Sequence, residues 1–123
     1  MSSSIERMLD EARRDLDRVA PEDLADELAA GALVVDIRPE TDRRAHGELP
    51  GAVAVERIHL EWRLDPSSPW KLDGVDADTR AIIVCNEGYS SSLAAATLRQ
   101  LGLGRATDLV GGYRAWRATR SPS

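Results

Sequence analysis

Apolar residues recur at helical spacing along the first twenty positions. Ile5, Met8, Leu9, Ala12, Leu16 and Val19 share one face, and Glu6, Arg7, Asp10, Glu11, Arg13, Arg14 and Asp17 take the other. The pattern predicts an amphipathic helix over residues 4–19, with Ser3 and Glu6 spaced as a capping box at its start. Its apolar face is expected to pack on the domain or on a partner. Pro21 stands at a helix-opening position, and Leu24, Ala25 and Leu28 form a short apolar face that stops near Gly31. The run Ala32 to Ile37 is apolar, unalternating and too short for a helix, as a strand buried on both faces requires. A charged stretch from Arg38 to Glu48 leads through the turn Leu49-Pro50-Gly51 to a second short strand, Ala52 to Val55. His59 to Leu64 suits one or two helical turns, and Asp65 to Asp78, rich in Pro, Ser and Asp, reads as a loop. A third strand, Ala81 to Cys85, is followed by the loop Asn86 to Tyr89 and by Ser90, Ser91 and Ser92 as helix-cap candidates. Leu93, Ala94, Thr97, Leu98 and Leu101 line the ensuing helix, which Gly102 ends. Ala106 to Val110 makes one more strand, and Gly111-Gly112 opens a last helix carrying Tyr113 and Trp116.

Strands alternating with helices predict an α/β fold with a parallel sheet covered on both faces. The 123 residues suit one domain, drawn here as an N-terminal helix over 1–18 and a domain over 19–120. With 42% hydrophobic and 30% charged residues, and no apolar window of membrane-spanning length, a membrane partner is not expected. The net charge of −5, with cations spread along the chain, argues against nucleic acid. A single cysteine forms no internal disulfide, and the first residues lack the blocks of a secretory signal, so the cytoplasm is the expected location. His46 and His59 are far apart and lack ligand-like spacing, so neither a metal nor another cofactor is expected.

The one thiol has a telling position. In open parallel sheets the ligand site lies beyond the carboxyl ends of the strands, and Cys85 stands at such an end with a helix N-terminus just after it. Unpaired amides and the positive end of a helix dipole favour both a thiolate and an anionic substrate. The plainer reading is a cysteine that fills the core as a small apolar residue.

The neighbours favour chemistry. Cys85-Asn86-Glu87-Gly88-Tyr89-Ser90-Ser91, followed by an alanine-rich helix, resembles the active-site loop of single-domain rhodaneses, the thiosulfate sulfurtransferases. Val34 to Glu40, with Asp36 and Arg38, resembles the family's early strand ending in Asp-x-Arg. Leu49 to Ala52 resembles its Ile-Pro-Gly-Ala turn, and Leu109 to Trp116 its closing motif. The matches run in order over about residues 19–117. The resemblance implies a rhodanese-like fold, a five-stranded parallel sheet flanked by helices, here with an extra N-terminal helix. It implies that Cys85 carries sulfur as a persulfide, taking it from a small anionic donor such as thiosulfate or from another persulfide, and passing it to a thiol or cyanide. Gly88 lets the loop curl, so that amides of Asn86 to Ser91 converge on the outer sulfur, with the Ser90 and Ser91 hydroxyls either adding donors or capping the helix.

The loop holds no Arg or Lys where relatives often place one, and Glu87 opposes an anion, so its side chain is expected to point outward. The missing charge is assigned to Arg57, just past the second strand, with His59 and Arg63 as second choices and Trp62 as a candidate wall. Asp36 and Arg38 read as a structural ion pair. Two other readings remain open. A cysteine-dependent phosphatase needs an Arg six positions after its cysteine, where this chain has Ser91. A non-catalytic rhodanese-like module would bind a partner, or form a homodimer, through the N-terminal helix.

Overall fold

The structure is a computed structural model and describes residues 2–120. Four short parallel strands form its sheet: β1 (Leu33–Asp36), β2 (Val53–Ala54), β3 (Ala81–Val84) and β4 (Thr107–Asp108), in the order β2-β1-β3-β4. Six α-helices accompany them: α1 (Ser4–Arg13), α2 (Leu24–Ala29), α3 (Glu40–His46), α4 (Leu60–Leu64), α5 (Ser90–Gln100) and α6 (Gly112–Arg120). Short 3-10 turns, Pro21–Asp23 and Arg57–His59, lead into α2 and α4.

The unbroken apolar runs of β1 and β3 follow from burial on both faces. Val35, Ala81, Ile83 and Cys85 point into one core with Leu60, Leu64, Leu98 and Leu103, beneath α4 and α5. Val34, Ile82 and Val84 point into the other with Leu24, Leu109 and Tyr113, beneath α2 and α6. Because all strands run the same way, the segments after β1, β3 and β4 emerge on one edge, and that edge carries Cys85.

The sheet has four strands where the resemblance implied five. Beyond β4 it continues only as a single parallel bridge between Val19 and Leu109, closed by Val19 N–H to Asp108 O (3.0 Å) and Val110 N–H to Val19 O (2.8 Å). Pro21, with no N–H to give, turns the chain into a 3-10 turn two residues later and stops this pairing.

The first helix is also shorter than its periodicity predicts. Ser3 Oγ accepts from Glu6 N–H, as the capping box requires, but α1 ends at Arg13. Val19 belongs to the sheet edge. Of the predicted buried face, Leu16 is buried and Leu9 and Ala12 are half-buried, while Ile5 and Met8 stay 56% and 58% exposed. The neighbouring α5 lies beside α1 from Met8 onward, and the first turn stays exposed. The charged stretch after Arg38 contains α3, which apolar periodicity does not announce because no residue of α3 is buried.

Candidate active site

Cys85 follows the last residue of β3 and is 7% exposed. The chain reverses over it, and Gly88 N–H donates to Sγ at 3.2 Å. Gly88 has φ of +85°, and a Cβ there would stand 2.7 Å from Gly111 N. The loop is gripped from the other side by the start of α6: Tyr113 N–H donates to Cys85 O (2.8 Å) and Arg114 N–H to Asn86 O (3.0 Å). This approach needs Gly112, at φ +64°, since a Cβ on it would lie 2.5 Å from Cys85 O.

Two opposed effects act on the thiol. Burial pushes its pKa up, but hydrogen bonds from the Ser91 and Ser90 hydroxyls and from the Ser91 and Gly88 N–H groups outweigh that, and the net direction is down. Ser91 has only one hydroxyl proton and its Oγ lies 2.7 Å from an Asp108 carboxylate oxygen, so in the resting thiol state the charged acceptor takes that proton. The Ser90 hydroxyl and the loop amides remain for the sulfur. The serines do not cap α5, whose N-cap is Tyr89 without a side-chain bond.

A shallow hollow of about 250 Å³ opens over the thiol, lined by Ile37, Arg38, Pro39, Cys85, Asn86, Glu87, Tyr89 and Ser90. Asn86 Nδ2 donates to Asp42 of α3 at 2.8 Å, which fixes the loop's first side chain. Glu87 is 54% exposed and faces Arg114 at 3.7 Å, outward as expected. Tyr89 is exposed at the rim. Asp36 and Arg38 are a buried ion pair beside the hollow: Arg38 Nε and Nη2 hold both carboxylate oxygens, Nη2 also reaches Gly47 O, and the guanidinium lies 3.7 Å from the centroid of the Tyr113 ring. Among the described residues its Nη1 has no hydrogen-bond partner. Arg57 does not line this hollow. Its guanidinium is paired with Glu61 one turn along the chain at 2.8 Å. His59 is exposed, Arg63 donates to Trp70 O, and Trp62 lines a separate hollow with Trp70 and Leu101. Among the described residues no three His, Cys, Asp or Glu side chains gather as a metal ion would need, and no helix is long and apolar enough to cross a membrane.

Residues 20–119 match the rhodanese-like domain family. The chain belongs to that family. It is 34% identical over 105 residues to the thiosulfate sulfurtransferase GlpE of Stutzerimonas stutzeri, covering 85% of this chain and 88% of that one. The GlpE of Pseudomonas aeruginosa PAO1 is 33% identical over 82% of this chain and 84% of its own. The fold is shared with the human single-domain sulfurtransferase TSTD1, at TM-score 0.72 and 26% identity over 85% of this chain and 97% of that one. A Rhodopseudomonas palustris protein, described as of unknown function and a possible tyrosine phosphatase, superposes at TM-score 0.85 and 30% identity over 99% of this chain and 95% of its own.

The rhodanese domain has a further set of contacts behind its cysteine loop that periodicity assigns to solvent. Arg13 Nη2 and Arg18 Nη2 donate to Gly88 O at 2.7 and 3.0 Å. Arg18 also forks onto Asp108, with Nε to Oδ1 at 2.8 Å and Nη2 to Oδ2 at 3.2 Å. Asp108 is wholly buried at the end of β4 and accepts from both Ser91 and Ser92 at 2.7 Å. Arg13 Nε donates to Ser92 Oγ at 3.0 Å. Nothing in the one-dimensional pattern marks Arg13 or Arg18, because their partners lie 70 or more positions along the chain.

Proposed function

We propose that Cys85 is the sulfur carrier of this protein, loading a persulfide from thiosulfate or another persulfide and passing it to a thiol or cyanide. The chain is a rhodanese-type sulfurtransferase. The observation that carries the assignment to Cys85 is the Gly88 N–H aimed at Sγ at a strand end, with a thiol held below its ordinary pKa. In the first step the thiolate attacks the outer sulfur of thiosulfate. The Cys85 sulfur–sulfur bond forms, the bond to the sulfonate sulfur breaks with its electron pair, and sulfite leaves. The cysteine persulfide then carries the negative charge on its outer sulfur, where loop amides stabilise it. In the second step the acceptor attacks that sulfur and the Cys85 thiolate is released, giving thiocyanate from cyanide or a new persulfide from a thiol. No general base is needed when the thiol is already ionised. A lone thiol nucleophile suits a reducing compartment, which supports the cytoplasm as the location of this reaction.

Phosphoryl transfer is the weaker reading, since Ser91 stands where such a loop needs a bidentate arginine and its hydroxyl is engaged by Asp108. Mass spectrometry after thiosulfate treatment tests the proposal. One sulfur atom added on Cys85, removed by cyanide and absent in Cys85→Ser, is the expected result. A protein that stays unmodified by thiosulfate and by a low-molecular-weight persulfide has no sulfur-carrying cysteine.

A further inference from the structure

The segment ahead of the family match reaches the catalytic loop from behind, and its contacts meet on one atom. Gly88 O accepts from both Arg13 and Arg18. A trans peptide is planar, so a Gly88 carbonyl turned toward the arginines sends the Tyr89 N–H the opposite way. Glycine is the residue most able to let that peptide plane flip, and no side chain of its own resists. We propose that Arg13 and Arg18 are positioning residues of the sulfur-transfer site, locking the Gly88 carbonyl on the outer side of the loop so that the loop amides stay turned toward the Cys85 sulfur.

The charges divide the work between the two arginines. Arg18 is neutralised by Asp108. Among the described residues Arg13 meets no carboxylate: its partners are Gly88 O, Ser92 Oγ and the Tyr89 ring, whose centroid is 5.7 Å from its guanidinium carbon. Arg13 therefore leaves a positive charge behind the loop, the charge that the loop itself does not hold. Of the other charged groups around the loop, Arg38 holds Asp36 and Glu87 faces Arg114, while Asp42 brings a carboxylate to the uncharged Asn86 at the start of the loop.

This inference rests on Cys85 as the sulfur carrier, but its test has a readout independent of sulfur transfer. The rate of iodoacetamide alkylation of Cys85 is measured against pH, beside kcat and KM for thiosulfate, in Arg13→Ala, Arg13→Lys and Arg18→Lys. Arg7→Ala is the control, an exposed residue whose side chain donates, among the described residues, to Ser2 O and Ser4 Oγ. In Arg13→Ala the alkylation midpoint is expected to rise by about half to one pH unit, as loss of a nearby cation and of amide alignment requires. The same variant is expected to lose about five- to twentyfold in kcat/KM. Arg13→Lys keeps the charge but not the two-point fork, and falls between the parent and Arg13→Ala. If circular dichroism shows Arg13→Ala unfolded, the two lysine variants decide. Midpoints and kcat/KM equal to those of the parent in every folded variant overturn the proposal. A parent that takes up no sulfur but still shows the Arg13 shift in alkylation refutes the sulfur-carrier reading alone.

Discussion

At Cys85 the competition between burial and hydrogen bonding decides the chemistry. A thiol 7% exposed and packed among Val35, Ile83 and Ala94 would ordinarily be inert, because desolvation disfavours the thiolate. Donors from Ser90, Ser91 and Gly88 reverse the sign and lower the pKa. An acid whose pKa is lowered keeps its charged form to lower pH. The pH profile of kcat/KM for sulfur transfer should therefore rise through a midpoint below that of free cysteine, about 8.5, and stay flat above it. A midpoint at or above the free-thiol value would leave the loop donors without effect. The same sign governs folding: the cysteine's contribution to stability grows from the folded pKa up to the unfolded one and is lost as pH falls. Arg57 illustrates what local sequence does not tell. Its place after β2 suggested an anion contact, yet Glu61, four residues on, takes its guanidinium. Such a half-exposed pair is worth only about 0.3–0.5 kcal/mol, and Arg57 does not line the hollow over Cys85, so Arg57→Ala should leave KM for thiosulfate within about twofold of the parent. A KM raised tenfold would put Arg57 back at the substrate.

At the scale of elements, legibility follows burial. β1 and β3 were readable because both their faces are covered, and α5 because Ala94, Ala95 and Leu98 face one core. α3 was not, since its sequence Glu-Thr-Asp-Arg-Arg-Ala-His has no buried residue to set a period. Residues 14–19 mimic a helix because Leu16 and Val19 keep a helical spacing, while their partners are the core beneath α5 and the edge of β4. The cysteine loop and the start of α6 interlock through two backbone hydrogen bonds, which short motifs report well. That interlock depends on Gly112, whose φ of +64° and closeness to Cys85 O leave no space for a methyl group. Gly112→Ala should destabilise the fold by about 1–3 kcal/mol through strain and displaced backbone, read as a lower urea midpoint. Sulfur transfer should fall as well, since the displaced group is the carbonyl of Cys85 itself. An alanine variant with the parent's midpoint would mean that α6 can shift without disturbing the loop.

Over the whole molecule, the N-terminal segment is tied to the rest of the chain at several points. Ties cross from residues 13–19 to distant parts of the chain: Arg13 to Gly88 and Ser92, Arg18 to Gly88 and Asp108, and Val19 to Leu109; Arg80 adds another by holding Asp17 while it grips Glu27 of α2. The costliest to lose is the pair at Asp108, because that carboxylate is fully buried and Arg18 is the only cation bridged to it among the described residues. Stripping one partner from a buried pair costs about 3–5 kcal/mol, a large part of the roughly 5–15 kcal/mol that holds a domain together. A chain that begins at residue 20, the edge of the family match, is thus expected to lose at least about a fifth of its unfolding free energy in urea. Much of the deficit should come from one stranded charge, so Asp108→Asn in the shortened chain should recover part of it while the same change in the full chain destabilises. The amide can still accept from Ser91 and Ser92, but it carries no charge that demands Arg18. If Asp108→Asn lowers stability equally in both backgrounds, the segment stabilises the domain by packing alone.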